Sequence, residues 1–399
     1  MDTIVKRLII KRFRSFPSDT VAFDNPVFLV GKNGAGKSNF SDIFSFVSEA
    51  MSSPIQAVFD RRGGIAAVRN RSSARSYPPN LGLAFITGPI NARVSGARFA
   101  FEIRALPNYG FEIVREQCEV KYHNGSAHWY DRAKTFRTNA AGLLPSVESS
   151  ALALPVIGGD ERFAPLFKIL SGMRVYSIEP SKLRNMQEPD SGIMLKSDGS
   201  NAASVLQEIL RNKHSENRDK LLLLLEAIVP FTKSVRPKKH GNKLTLEFVQ
   251  QWAGDKKLLF EAFNMSDGTL RALGLIMAVF QTPSPSVLII EEPEATIHPG
   301  ALGAVLDVIR RACKHMQVIV TTHSPELLDA SWIEDKHLRI ITWENGASHV
   351  LQLDVASREA MKKHLMGAGE LLRSNALNAA PLFKDEHDLT APSLFEDIK

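Results

Sequence analysis

The chain has 399 residues, 44% hydrophobic and 23% charged, which supplies a buried core and excludes wholesale disorder. Two cysteines, Cys118 and Cys313, exclude a disulfide framework and a multi-cysteine zinc site and fit a reducing, cytoplasmic setting. The N-terminal residues lack the apolar stretch of a signal peptide and no apolar run reaches about 18 residues, so no membrane association is expected; the net charge of +6 points mildly to a polyanionic partner.

Residues 1–30 alternate apolar and polar and read as two or three strands, the last, Val27-Phe28-Leu29-Val30, fully buried. The glycine-rich loop GKNGAGKS follows at 31–38. Phe40, Ile43, Phe44, Phe46 and Val47 then recur at helical spacing. Residues 52–80, rich in Ser, Gly, Pro and Arg, read as loop. Alternation between 81 and 130, with turns at Pro107-Asn108 and Asn124-Gly125, reads as antiparallel strands. Residues 131–160 are weakly patterned, and 161–230 read as mostly helical. A hairpin is expected over 244–263. The pattern from 265 to 354 is α/β: a helix over 268–280, a buried strand 287–290, a helix over 300–315, a strand 317–323, and a strand pair at 338–342 and 348–353. The acidic residues after Lys384 read as a loosely held tail. The implied organisation is 1–80 and 241–375 as two parts of one head, with an antiparallel section at 81–150, a helical insertion at 151–240 and a tail at 376–399.

The loop at 31–38 fits G-x-x-x-x-G-K-[ST], and it lies between a buried strand and an amphipathic helix, as phosphate binding requires. Gly31, Gly34 and Gly36 let backbone N–H groups close around phosphates without Cβ clashes, and the helix N-terminus adds positive potential. Asn33, Ala35 and Asn39 complete the loop. Lys37 is placed to reach the β- and γ-phosphates and Ser38 to put its hydroxyl on Mg²⁺. The segment VLIIEEPEATIHPG at 287–300 ends a buried strand in two carboxylates, at the strand end where open α/β sheets bind ligands. Glu291 is the candidate for the metal shell and Glu292 for polarising the attacking water. NMSDGT at 264–269 opens a helix with Ser266, Asp267 and Gly268; alone it reads as an ordinary N-cap, and its place before the acidic strand makes it an anion-contact candidate. His323 follows the strand QVIVTT. Alone it reads as a capping or core histidine; beside the other motifs it reads as a γ-phosphate contact.

In order and spacing these motifs resemble the ATP-binding-cassette-type ATPases of the SMC, RecF and OLD group. GKNGAGKS is similar to Walker A, VLIIEEP to Walker B, NMSDGT to the signature, EATIHP to the D-loop and TTHS to the switch-histidine loop. The resemblance covers 1–50 and 240–355 and extends to small stand-alone bacterial ATPases with E-P-E-A-x-x-H-P, many in phage-defence loci. It implies an α/β head, a P-loop mixed sheet with flanking helices, that uses ATP and Mg²⁺, with Glu292, Lys37 and His323 catalytic. Glu291 stands where Asp is usual and Asp267 where glycine is usual. The glutamine that the family adds to the metal shell has Gln187 as its best-placed candidate.

Because one chain carries one Walker A and one signature, the resemblance implies a homodimer with two shared ATP sites. The span 39–265 lacks sustained heptads, so long coiled-coil arms are excluded, and no nuclease module is visible; a nuclease or toxin effector is expected as a separate protein. Arg61, Arg62, Arg69, Arg71, Arg75, Arg93 and Arg98, in an acid-poor stretch, together with Lys238, Lys239 and Lys243, make DNA a candidate partner. The expected role is an ATPase that senses nucleic acid and controls an effector in antiphage defence. The alternatives are a RecF-like repair ATPase and an ATP-bound scaffold.

Overall fold

The computed structural model describes residues 3–70, 80–211, 216–251, 256–381 and 393–398. The strands in chain order are β1 (Val5–Phe13), β2 (Phe16–Ala22), β3 (Val27–Val30), β4 (Asn80–Thr87), β5 (Val94–Ala105), β6 (Phe111–Tyr122), β7 (Ala127–Arg132), β8 (Phe136–Thr138), β9 (Arg174–Tyr176), β10 (Thr232–His240), β11 (Lys243–Gln251), β12 (Lys257–Glu261), β13 (Val287–Glu291), β14 (Gln317–Thr322), β15 (Leu338–Glu344), β16 (Ala347–Leu353) and β17 (Ala379–Ala380). They build three sheets. The first is antiparallel, in the order β2-β1-β4-β5-β6-β7-β8; the second is mixed, in the order β17-β16-β15-β3-β14-β13-β9; the third is β10-β11-β12.

In the mixed sheet β15, β3, β14, β13 and β9 run parallel, so their C-terminal ends share one edge. The short strands read as unbroken apolar runs because both faces are covered. Val27 and Leu29 join Val287, Ile289 and Ile319 in one core, while Phe28 and Val30 join Leu288, Ile290, Val318 and Val320 in another. The first core holds the helix Lys37–Ser52 between the mixed sheet and the inner face of the antiparallel sheet. Its apolar stripe builds an aromatic stack: Phe44 lies 5.7 Å from Phe85, and Phe46 lies 5.5 Å from Phe13 and 5.4 Å from Phe59, ring centre to ring centre. Each such ring contributes about 1.5–3 kcal/mol by burial. The second core packs the helices Ala202–Arg211, Glu216–Ile228, Asp267–Phe280 and Leu302–Ala312 on the opposite face.

Three expectations change. Residues 52–70 hold two short helices, Ile55–Asp60 and Ile65–Val68, where loop was expected; residues 71–79 lie outside the described residues. The stretch expected to be mostly helical contains β9, which joins the edge of the mixed sheet beside β13. Three residues are too few for an alternation to be read. The tail is not loose throughout: Leu394 is buried on the antiparallel sheet against Ile9, Ala84 and Ala100. No helix among the described residues is long and apolar enough to cross a membrane.

Candidate active site

β3 ends at Val30 and the helix Lys37–Ser52 begins one loop later. Gly36, with φ of 111°, takes a left-handed turn that would strain any side chain, and a Cβ there would collide with Ser348 Oγ. The loop is braced from β16, where Ser348 Oγ donates to the Ala35 carbonyl at 2.7 Å. Asn39 Nδ2 donates to Ser15 Oγ at 2.9 Å in the β1–β2 turn. Lys37 is only 7% exposed; its ammonium donates to the Gly31 carbonyl at 2.8 Å and the Lys32 carbonyl at 3.3 Å, and lies 3.6 Å from Glu292 Oε1. A pocket of about 400 Å³ opens here, lined by Asn33, Gly34, Gly36, Lys37, Ser38, Asn39 and Glu292.

The carboxylates arrive from β13. Burial pushes the Glu291 pKa above the ordinary value, against the pull of the nearby Ser41, Ser38 and Ser177 hydroxyls. Ser38 and Ser41 are one helical turn apart, and Ser177 directly follows β9. This oxygen-only set suits a hard cation such as Mg²⁺, which binds one or two carboxylates together with nucleotide phosphates. Glu292 sits at φ 43°, held there by its N–H donating to Thr321 O at 3.0 Å and to Thr321 Oγ1 at 3.2 Å. Its Oε1 lies 3.3 Å from His323 Nδ1. Glu294, whose side chain is 8% exposed, accepts from the Thr322 hydroxyl at 2.6 Å and from the His323 N–H at 3.3 Å. Lys37, Ser38, Glu291, Glu292 and His323 thus converge on one edge of the parallel strands.

Sequence reasoning missed Ser41, Ser177, Thr321, Thr322 and Glu294. Ser41 could have been found by helical spacing from Ser38, and Glu294 by its place in EPEA; Ser177 carried no signal without β9. Gln187 does not join the site. It is 3% exposed, its Nε2 donates to the Lys182 carbonyl at 3.1 Å, and its Oε1 accepts from the Ala203 N–H at 2.8 Å. Both ends of its amide hold backbone in a buried setting, and it does not line the pocket around Lys37. The hydroxyl that meets Glu291 from that side is Ser177.

Ser266 caps the helix Asp267–Phe280, accepting from the Thr269 N–H at 3.2 Å. Asp267 pairs with Arg184, which also donates to the Met265 carbonyl at 3.1 Å. A Cβ on Gly268 would approach the Thr296 carbonyl to 2.6 Å, so this position brings the helix start against the segment after Glu292. None of Ser266, Asp267 and Gly268 lines the pocket around Lys37. Arg271, on the same helix, reaches the Glu292 carbonyl at 3.5 Å.

Half of the basic candidates form ion pairs within the chain. Arg61 pairs with Glu49 at 2.9 Å, Arg62 with Asp42 at 2.9 Å and Glu49 at 2.8 Å, and Arg98 with Glu396 at 2.7 Å. Lys238 pairs with Glu261 at 2.6 Å and Lys243 with Glu188 at 3.2 Å. Arg93 and Lys239 are exposed, and Arg71 and Arg75 lie outside the described residues.

A likeness to solved structures supports the fold. The chain is similar to the Smc head crystallised with the C-winged helix domain of ScpA, with a TM-score of 0.55 and 15% identity over 90% of this chain and 99% of that one. It is also similar to an Smc head domain with an extended coiled coil bound to the C-terminal domain of ScpA, derived from Pyrococcus furiosus, with a TM-score of 0.52 and 13% identity over 91% of this chain and 99% of that one. No curated protein matches the chain. The family described as "AAA domain, putative AbiEii toxin, Type IV TA system" matches residues 27–329. With the glycine-rich loop, the paired acids and His323 on one edge of a mixed sheet whose fold is like that of Smc heads, the chain belongs to this AAA-domain family.

Proposed function

We propose that two copies of this chain close face to face on ATP and Mg²⁺, hydrolyse the ATP, and use closure and opening to control a separate effector protein. The observation that carries this reading is the absence of Ser266, Asp267 and Gly268 from the pocket that holds Lys37 and Glu292. A signature turn with an exposed N-terminal end has its anion to find elsewhere, and a two-fold axis delivers the partner's nucleotide to it.

Lys37 gives up its bonds to the Gly31 and Lys32 carbonyls to meet phosphate oxygens. Ser38 and Glu291 would hold Mg²⁺, which when bound would supply neutralisation of the phosphate charge. Glu292 orients and polarises the attacking water. His323, beside it, contacts the γ-phosphoryl and is itself oriented by Glu294 through its backbone N–H.

A protein effector is favoured over nucleic acid because Arg61, Arg62, Arg98, Lys238 and Lys243 are held in internal ion pairs. Leu258 and Leu259 on β12 and Phe263, just before Ser266, are exposed and offer apolar surface for such a contact. The toxin–antitoxin description of the family supports an effector-linked role, in line with the antiphage setting that the sequence resemblance implies.

The test of the shared site is a mixing experiment. Lys37→Ala and Ser266→Arg are each expected to abolish turnover alone. Mixed, they form one intact site per heterodimer, from the Lys37 of one copy and the Ser266 of the other, and phosphate release returns. Absence of recovery in a mixture shown to exchange subunits would sink the shared-site reading.

A further inference from the structure

The outer face of the antiparallel sheet, remote from the phosphate loop, carries an occupant. Residues 393–398 pair with no strand and are held by side chains. Leu394 drops against Ile9, Ala84 and Ala100. The space it fills exists because β4 has glycine at 82, where a Cβ would stand 2.6 Å from Leu394 Cδ2. The Arg115 guanidinium lies 4.6 Å from the centre of the Phe395 ring. Arg98 pairs with Glu396 at 2.7 Å and donates to the carbonyls of Leu394, at 2.7 Å, and of Ser393. The Gln117 amide brackets residue 396: Nε2 donates to the Glu396 carbonyl at 2.7 Å and Oε1 accepts from the Glu396 N–H at 3.0 Å.

These contacts read a sequence, in the way peptide sites do: an apolar socket, an aromatic platform, a carboxylate receptor and a backbone clamp. The floor of the face differs from a core. Arg98 is 4% exposed and Gln117 0% while the segment is seated, yet both are polar and regain water when it leaves. Among the described residues, the apolar part of the face is the small socket formed with Ile9, Ala84 and Ala100, so the vacated face stays compatible with solvent.

We propose that the outer face of β1, β4, β5 and β6 is a peptide-binding site for a Leu-Phe-Glu segment, and that the chain's own C-terminal residues 393–398 occupy it as an exchangeable ligand. The inference is independent of the ATPase reading.

The test uses the full chain carrying Leu394→Ser, Phe395→Ala and Glu396→Ala, which vacates the face, and a fluorescent Ser-Leu-Phe-Glu-Asp-Ile peptide followed by anisotropy. The expected result is saturable binding that is lost when Phe and Glu of the peptide are replaced by Ala. Wild-type chain, whose tethered copy acts at about millimolar effective concentration, is expected to bind the peptide at least about tenfold more weakly. A folded triple variant that ignores the peptide overturns the proposal. A second arm keeps the tail sequence intact: Gly82→Ala fills the Leu394 socket. Hydrogen exchange at the Glu396 amide is then expected to rise at least about tenfold, with ATP binding unchanged. Unchanged exchange in a folded Gly82→Ala chain also overturns it.

Discussion

The two large sheets use their strands in different ways. In the mixed sheet, five parallel strands end on one edge, so whatever follows each strand is gathered there: the phosphate loop after β3, Ser177 after β9, the two glutamates at the end of β13 and His323 after β14. The antiparallel sheet sends alternate ends to opposite edges and gathers no such cluster. Its long strands offer faces instead, one packed on the helix Lys37–Ser52 and the other carrying the C-terminal segment. Parallel pairing concentrates chemistry at an edge, and antiparallel pairing provides a platform.

The largest expected effect tests the edge. Glu292→Gln removes the group placed to polarise water and leaves the loop intact. Turnover should fall by about 10²–10⁴-fold with ATP binding retained, the range for losing a positioned acid–base group, and the chain should accumulate as an ATP-bound dimer on light-scattering chromatography. Near-normal phosphate release would discredit the assignment.

Phe44→Ala strikes the layer that both sheets share. It should cost about 3–5 kcal/mol of stability by chemical denaturation, with any activity loss tracking the unfolded fraction.

Gln187→Ala and Ser177→Ala separate structure from site. The first leaves the Ala203 N–H unpaired in a buried setting and should cost about 1–3 kcal/mol, without changing the Mg²⁺ concentration needed for half-maximal turnover. The second should raise that concentration and barely change stability. The reverse pattern would restore Gln187 to the metal shell.

The smallest effect concerns pH. His349 Nδ1 lies 3.6 Å from Asp19 Oδ1, and the nearby carboxylate raises its pKa above the ordinary 6.5. The contact therefore stabilises fully below pH 6.5 and is lost as pH rises through the raised value. Its partial exposure limits this to about half a kcal/mol. His349→Ala should flatten denaturation midpoints across that window.

The edge was more legible in the sequence than the platform. Walker A, the two glutamates and His323 are contiguous motifs whose residue types are fixed by phosphate chemistry, and each lies directly after a buried apolar run. β11–β12 and the antiparallel strands followed from alternation. What escaped depends on contacts between distant segments. Ser177 becomes visible only once β9 pairs with β13, and Gln187 is indistinguishable from a metal ligand until its amide is seen bonded to the Lys182 and Ala203 backbone, away from the pocket. The arginine-rich stretch is acid-poor locally, but its partners Asp42, Glu49 and Glu396 come from elsewhere in the chain.

Ser348 stands directly across the β15–β16 hairpin from Trp343, which is 53% exposed. The serine side chain contacts both Ala35 and Ser15, which ties the phosphate loop physically to this hairpin. The indole thus sits across one strand pair from the residue that braces the phosphate loop, and its emission is expected to change when nucleotide loads.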